Sequence, residues 1–434
     1  MRLKISNIGI VKQADIEING ITVIAGENDT GKSTIGKILY SITKVVNNYK
    51  KHFSKYQYSV IVDYIYIIAE STLNSGKYFI EFGNDVQEYL SQADSKKEKK
   101  TFNELLHKYR PKKNQFWEDN NEEIEKYFKE IEKVLQLEKD SFLVRKTALD
   151  RIFKNEFEGQ VCNLFSSELS EIKLNSGEKK IFNVNIINNE IKDIITFEKM
   201  TSNDVTYIES PFIFSFLNTR KTRHIVGSED SSNISHIDDL KKKINKFING
   251  NFNINLVEEI LYNDKIKRFE DIISKNIGGK INYNKDLNSL IFSKNDKSIK
   301  MNNTATGIRA FALIDLILKI GALKSNEILI IDEPEVHLHP VWQVEYAELL
   351  VLMAKELSVK ILITTHSSYF IEAIRLYSEK HLIKKKTNFY LSEMAGDSSV
   401  ITNVNDRLDL IYEKLNKSYK KLDGVLGEIF SKRV

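Results

Sequence analysis

The sequence has a single cysteine, Cys162, in 434 residues. It cannot close an internal disulfide or supply a paired-cysteine metal hook, which excludes a disulfide scaffold and fits a reducing cytosol. Net charge of one sign is also scarce, since 64 basic and 60 acidic residues leave +4. No global field announces nucleic acid or membrane as partner, so local patches must carry any such argument. Long hydrophobic runs are missing too. The most apolar stretch, YSVIVDYIYIIAE from Tyr58 to Glu70, is interrupted by Asp63 and is shorter than the ~20 apolar residues that span a bilayer. It reads as a core helix, and no membrane span is expected. MRLKISNIGIVKQADIEI alternates apolar and polar residues like a strand, without a signal-peptide core, so a cytoplasmic protein is expected.

With 41% hydrophobic residues the chain can bury a large core, and roughly 100–200 residues per domain gives two or three structural units. RLKISNIG and ADIEINGITVIAG are expected to form a β-meander whose last strand, Ile21 to Ala25, feeds a glycine loop. KSTIGKILYSITKVV then has helical periodicity. From about Val46 to Gln160 the sequence turns to charged helical stretches such as NNEEIEKYFKEIEKVLQL, with Ile124, Tyr127, Phe128, Ile131, Val134 and Leu135 on one face. Breaks such as YRPKKN leave no heptad run long enough for an extended coiled-coil arm. Strand patterns return in SEIKLN, KKIFNVNIINNEIKDIITF and DVTYIESPFIF, followed by polar sequence at GSEDSSN. A second helical block spans about His236 to Lys275, and GKINYN, SLIFSK and KSIKMN form another meander. NTATGIRAFALIDLILKIGAL reads as a glycine-marked turn opening a long apolar helix. Then come EILIIDEP, a helix from about Val341 to Leu357, VKILITTHS, a helix from near Tyr369, and strands at TNFYLSEM and SSVITNV. This alternation predicts an α/β fold with a mostly parallel sheet and crossover helices. Arg407 to Phe430 is expected to be a charged amphipathic helix.

Two stretches carry chemistry. In GENDTGKST, from Gly26 to Thr34, the glycines let backbone N–H groups close on phosphates, with Asn28 and Thr34 in the same loop. Lys32 can reach the β and γ phosphates, Ser33 can ligate magnesium, and the helix start behind Gly31 favours negative charge. ILIIDEPE, ending at Glu335, is a buried strand with carboxylates at its end, where α/β sheets place ligands. Asp332 can hold magnesium through water, and Glu333 can orient and deprotonate the attacking water. His366, at the end of ILITTH, is positioned to sense the γ phosphate. Lys32 and Asp332 are nevertheless 300 residues apart.

Together these residues resemble the ABC-type ATPases, in particular the clade that includes RecF, SMC and the OLD (overcoming lysogenisation defect) proteins. The resemblance covers about residues 1–45 and 300–392. It implies a P-loop fold with a mixed central sheet, N-terminal antiparallel strands and a helical insertion that separates the two chemical stretches. On that pattern residues 1–45 open the ATPase domain and 46–160 are the insertion. Residues 161–235 complete the lobe with strands, 236–299 form a helical lobe and meander, and 300–434 close the domain. ATP and Mg2+ are the implied ligands. The family also implies a sandwich dimer, or a larger assembly of such dimers, with each ATP between the loop of one subunit and the signature turn of the other. Here that turn is TATGI, which departs from the usual leucine-serine-glycine-glycine-glutamine pattern. Thr304 or Thr306 replaces the family's serine donor, the Gly307 N–H adds anion affinity, and Arg309 is a further candidate for charge stabilisation. EPEVHLHP resembles the OLD-like proteins and would place Glu335, His337 and His339 near the dimer seam. The family's glutamine loop is not recognisable in this sequence; YIESPF stands where it would fall, which would put Glu209 or Ser210 near magnesium.

The resemblance implies an ATPase that regulates a separate effector, a nuclease, as in two-gene phage-defence modules of the Septu or PARIS type. The 68 residues after His366 are expected to be too few for the nuclease domain of full OLD proteins. A RecF-like ATPase that clamps DNA is the alternative, and a transporter motor is the third class. The basic clusters SKKEKK, YRPKK, LKKKINK and IKKKTN leave DNA or RNA contact open, although charge runs are usually solvated faces.

Overall fold

The structure, a computed structural model, describes residues 1–71, 81, 83–86, 88, 121–202, 204–217, 235–248, 256–284, 289–417 and 421–426. The chain divides into two compact units, one of residues 1–47, 149–222 and 233–434, the other of residues 48–148 and 223–232. The break YRPKKN, the clusters SKKEKK and YRPKK, and GSEDSSN lie outside the described residues.

In the first unit the N-terminal strands are β1 (Arg2–Ile8), β2 (Val11–Glu17) and β3 (Ile21–Gly26). After the second unit's main segment come β4 (Ser170–Ser176), β5 (Lys179–Ile187), β6 (Glu190–Phe197) and β7 (Val205–Ile208). β8 (Lys280–Asn284), β9 (Ser289–Lys294) and β10 (Lys297–Lys300) form a separate antiparallel sheet. The C-terminal strands are β11 (Ile328–Asp332), β12 (Lys360–Thr365), β13 (Thr387–Ala395) and β14 (Ser398–Asn403). Eleven of these strands make one sheet in the order β6-β5-β4-β1-β2-β14-β13-β3-β12-β11-β7. β13, β3, β12, β11 and β7 run parallel, whereas β6 to β2 are antiparallel throughout.

The parallel half has the character of strands covered on both faces. β3 is buried along its whole length, as is β11. Val23 pairs with Ile363 on one side and Phe389 on the other. Their neighbours on the same face, Ile331 and Leu329, pack with the helices α7 (Thr306–Lys319), α8 (Pro340–Glu356) and α9 (Ser368–Lys380). The earlier helices are α1 (Lys32–Ser71), α2 (Asn121–Gln136), α3 (Phe142–Phe157), α4 (Ile213–Leu217), α5 (His236–Ile248) and α6 (Leu256–Ile277), and α10 is Leu408–Leu415. The first turns of α1 take the opposite face, where a Cβ on Gly36 would lie 3.1 Å from Ile330 Cγ2. Glycine there lets helix and strand approach closely.

In the second unit, α2 buries Phe128 and Ile131 among its apolar face, while the later turns of α1 bury Ile61 and Ile65. Gln57 Nε2 donates to the carbonyl of Val134 at 2.9 Å, and Arg145 and Lys50 both pair with Asp140. Among the described residues no helix is long and apolar enough to cross a membrane.

The α/β class, mixed sheet, antiparallel N-terminal strands and helical insertion agree with the sequence reading. Several details differ. β1 and β2 form a hairpin, but β3 does not continue the meander, because β14 and β13 lie between β2 and β3. Fully apolar β3 needs cover on both faces, whereas alternating β2 suits a sheet with one solvated face. The helix after the glycine loop runs on to Ser71, 40 residues in all. YSVIVDYIYIIAE is helical but not all core, for Tyr66 is 68% exposed while Ile61 and Ile65, one turn apart, are buried. DVTYIESPFIF is strand only to Ile208. A turn at Asn416 interrupts the C-terminal helix. In LKKKINK, Lys243 is spent on Asp204 and Asp239, so that run is not a free basic surface.

Glu327, at the head of β11, is 8% exposed. Burial pushes its carboxyl up to about 7, opposed by the Lys324 N–H and assisted by Asp204. A folded pKa raised above its unfolded value gives stability that is complete below the ordinary carboxyl range and lost as pH rises through 7. Glu327→Gln should therefore be more stable than the parent at pH 8, on the order of 2–3 kcal/mol, and indistinguishable from it near pH 4. Urea unfolding at both pH values checks this, and an equal difference at both would contradict it.

Candidate functional site

β3 delivers the chain to Gly26, where a Cβ would lie 2.5 Å from the Ser392 carbonyl oxygen of β13. The loop turns through Asp29 and Gly31, both with positive φ. At Gly31 a Cβ would lie 2.5 Å from Val11 Cγ2, so only glycine keeps that turn without displacing β2. Two side chains fold back on one carbonyl: Lys32 Nζ donates to Glu27 O at 2.7 Å and Thr30 Oγ1 at 2.9 Å. Ser392 Oγ donates to Thr30 O at 2.7 Å and fastens the loop to β13.

Asn28, Gly31, Lys32, Ser33 and Thr34 line a cavity of about 750 Å³, and Asp332 and Glu333 line it too. The structure thus brings together residues 300 positions apart. Gly26 lies behind the cavity, at the end of β3. Lys32 Nζ stands 3.7 Å from Glu333 Oε1, and its side chain is 4% exposed.

Two adjacent threonines at the end of β12 brace the carboxylates. Thr364 Oγ1 donates to Asp332 Oδ1, and Tyr207 OH donates to Asp332 Oδ2 at 3.2 Å. Glu333 sits in the left-handed region at φ 45, ψ 56, a conformation that costs a non-glycine residue about 1–3 kcal/mol. Its N–H is held by Thr364 O at 3.1 Å, and Pro334 then opens a short 3-10 turn. That kink turns the Glu333 side chain onto the cavity wall.

Thr365 serves Glu335. Glu335 Oε1 accepts from Thr365 Oγ1 and from the His366 N–H, each at 2.6 Å. His366 Nδ1 lies 3.3 Å from Glu335 Oε1 and 3.6 Å from Glu333 Oε1. His366 is therefore placed beside the cavity carboxylates. Its pKa is raised by Glu333, against its own partial burial, and by Glu335. His366 first, then Lys32, hold Glu333 below its ordinary range against the opposing effect of its burial. Burial raises Glu335, whose Oε2 has no partner.

Glu335 is thus buried beneath His366 rather than presented at a seam. His337 does line the cavity, its ring edge-on to Phe212 and its Nε2 3.5 Å from Ser210 Oγ. His339 caps α8, Nδ1 accepting from the Val341 N–H at 3.4 Å. Among the described residues no cluster of three or more His, Cys, Asp or Glu has metal-site geometry. Of the two residues weighed in YIESPF, Glu209 lies on the cavity wall.

The signature residues do not line the cavity of their own chain. Thr304 is buried, its hydroxyl donating to Met301 O at 2.7 Å, which leaves Thr306 as the hydroxyl at the start of α7. The Arg309 guanidinium donates to Thr304 O and lies over the Phe212 ring. Gly307 packs so closely that a Cβ would meet the Trp342 ring at 2.5 Å. Tyr207, Thr364 and Thr365 were not singled out by sequence, because a hydroxyl inside an apolar strand carries no mark of the carboxylate it will meet.

A glycine loop at the end of one strand and paired carboxylates at the end of another, on one mixed sheet, define the P-loop class. Residues 1–371 match the family model for the AAA ATPase domain, and the chain belongs to that family. It is similar to the energy-coupling factor transporter ATP-binding proteins EcfA2 and EcfA3 of Clostridium perfringens. Each is 32% identical over 113 residues that cover 24% of this chain and 39% of the relative. The chain thus spans 39% of the length of these curated relatives. Among solved structures it is similar to the SMC head domain from Thermotoga maritima, at 11% identity and a TM-score of 0.37, covering 93% of this chain and 98% of that one. It is also similar to the Smc head domain with an extended coiled coil from Pyrococcus furiosus, crystallised with the C-terminal domain of ScpA, at 14% identity, a TM-score of 0.37 and 98% of each chain.

The carboxylates around His366 generate a prediction. Glu335→Gln removes one of the two charges that raise the imidazole pKa, so the pKa should fall. An NMR titration of histidine-labelled protein reads this directly. A pKa that stays put would contradict the pairing.

Proposed function

We propose that this chain is a cytoplasmic ATPase that binds ATP and Mg2+ in the cavity between the glycine loop and the two carboxylates. The observation that carries this reading is the meeting of Lys32 and Ser33 with Asp332 and Glu333 on one cavity wall. The site fits the group: glycine at 31 lets the loop hold its turn against Val11, where a Cβ would collide, and both oxygens of Asp332 are fixed by hydroxyl donors. Ser33 and Asp332 are the residues to hold magnesium, which would neutralise phosphate charge.

The chain's own groups do the rest. Loop N–H groups and the start of α1 receive phosphate oxygens. Lys32 exchanges the Glu27 carbonyl for a phosphate, a charge-assisted contact. Glu333, ionised and fixed by its kinked backbone, accepts the proton of the attacking water as the water oxygen bonds to the γ phosphorus and the bond from that phosphorus to the bridging oxygen breaks, ADP leaving with the electron pair. His366, held on one ring nitrogen by the two glutamates, offers the other to the γ phosphate.

The proposal extends to a dimer, or an assembly of dimers, in which ATP lies between this cavity and the Thr306 to Arg309 start of α7 in a second copy. Its support is that those residues lie off their own chain's cavity, while Val336 on the cavity wall is 54% exposed and nearby Phe212 44%. Nucleotide-driven association would then control a separate effector, a nuclease in phage defence, as the likeness of EPEVHLHP to OLD-type proteins supports. A transporter motor is the competing reading favoured by the names of the curated relatives, over 24% of the chain. Direct DNA clamping is less supported, since Lys243 and Lys241 of one basic cluster are already paired with aspartates.

Phosphate release tests the catalytic assignment. Glu333→Gln should slow hydrolysis by about 10²–10⁴-fold, the worth of a positioned base, while ATP still binds. Lys32→Ala should weaken ATP binding by about 10–100-fold, from the loss of a hydrogen bond to a charged group. Normal turnover in the first variant would remove Glu333 from the mechanism, and unchanged affinity in the second would move the nucleotide elsewhere. For the effector, phage plating in cells carrying the neighbouring gene should depend on Lys32. Protection that survives Lys32→Ala would contradict control by nucleotide.

A further inference from the structure

Glu209 stands on the cavity wall at the end of β7, and what holds it lies behind the wall. His236, the first residue of α5, is 5% exposed and has both ring nitrogens engaged. Nε2 lies 3.1 Å from Glu209 Oε2, and Nδ1 lies 2.7 Å from Glu156 Oε2. Glu156, itself 4% exposed, also accepts the His236 backbone N–H on Oε1 at 2.7 Å. One buried carboxylate therefore grips the residue at two points and fixes the plane of its ring.

That ring plane meets a second cavity element. It stacks on Tyr207 at 4.3 Å between centroids, and Tyr40 closes the other approach edge-on at 6.0 Å. Tyr207 OH in turn donates to Asp332. Burial would depress the pKa of the imidazole, but its bonds to Glu156 and Glu209 raise it to about 9. It is thus a cation whose two ring nitrogens each face a carboxylate, so its buried positive charge is paired.

We propose that His236, clamped by Glu156, is the positioning residue that holds the Glu209 carboxylate on the cavity wall and Tyr207 against Asp332, so that Glu209 orients water in the site. This rests on the reading of the cavity as the ATP site. The arrangement is that of an outer group that orients an inner ligand, whose removal commonly costs about 10–100-fold in activity. A histidine that merely filled the core would need no second carboxylate directed into the cavity.

The two nitrogens can be replaced one at a time. The amide nitrogen of glutamine reaches roughly where Nε2 lies, and that of asparagine where Nδ1 lies. His236→Asn keeps the Glu156 contact and releases Glu209, so kcat for ATP hydrolysis should fall about 10–100-fold with ATP affinity unchanged. His236→Gln should recover most of that loss. On a Glu209→Gln background, His236→Asn should cost little more, because residues acting through one another are not additive. Equal kcat in Asn, Gln and parent proteins would overturn the proposal, as would a full multiplicative loss on the Glu209→Gln background. If His236→Asn does not fold by thermal melting, Glu156→Gln, which keeps an acceptor for the ring, replaces it in the same cycle with the same expected non-additivity. A parent protein that binds ATP and hydrolyses it at a rate independent of Glu209 and His236 refutes only this inference. One that binds no ATP refutes the reading of the cavity, and this inference with it.

Discussion

The site depends on where β3 inserts. Residues 21–26 lie between β12 and β13, strands from the other end of the chain, with Val23 paired to Ile363 on one side and Phe389 on the other. Parallel pairing sets the C-terminal ends of β3, β11 and β12 along one edge of the sheet. The glycine loop leaves from the first, Asp332 and Glu333 from the second, and His366 from the third. A separation of 300 residues between Lys32 and Asp332 thus becomes a cavity wall. With the strands buried on both faces, a register slip would keep apolar side chains buried but force side chains of different volume against the helices, and that misfit is what holds the register.

The second constraint is charge. Lys32 is nearly buried, yet its ammonium has the Glu27 carbonyl and the Glu333 carboxylate as neighbours, so the loop is charge-balanced without a ligand. A phosphate that displaces those partners exchanges one set of polar contacts for another, and the loop need not refold to receive it. His366 is the hinge of a second balance, lying between Glu333 and Glu335. His236 lies between Glu156 and Glu209 in the same way. In both histidines neighbouring carboxylates favour the protonated ring, and each is aligned by a glutamate that is itself buried. The left-handed backbones of Asp29 and Glu333 gather strain at this edge, where glycines at 26 and 31 avoid the close contacts a Cβ would make.

The elements were legible where they are local. GENDTGKST and ILIIDEP carry spacing that only a strand, a turn and a helix start satisfy, and α8, α9, β13 and β14 follow apolar periodicity within a residue or two. Neighbour order was not legible, because pairing β2 with β14 leaves no signal in either strand, and contiguity in sequence pointed to a meander instead. The bracing hydroxyls of Tyr207, Thr364 and Thr365 look like ordinary strand residues until the carboxylates arrive from elsewhere in the chain. His236 was read only as the start of a helical block, since its partners are 80 and 27 residues away. At the signature turn, sequence placed two threonine hydroxyls in contention, and the Met301 carbonyl removes one of them.

The central claim is that the cavity is half of a site, completed by the start of α7 in a second copy when a γ phosphate is present. Multi-angle light scattering of the Glu333→Gln protein with ATP, with ADP and without nucleotide tests it most directly. The account predicts a doubled mass, or a multiple of it, with ATP alone. The same mass in all three states would contradict it.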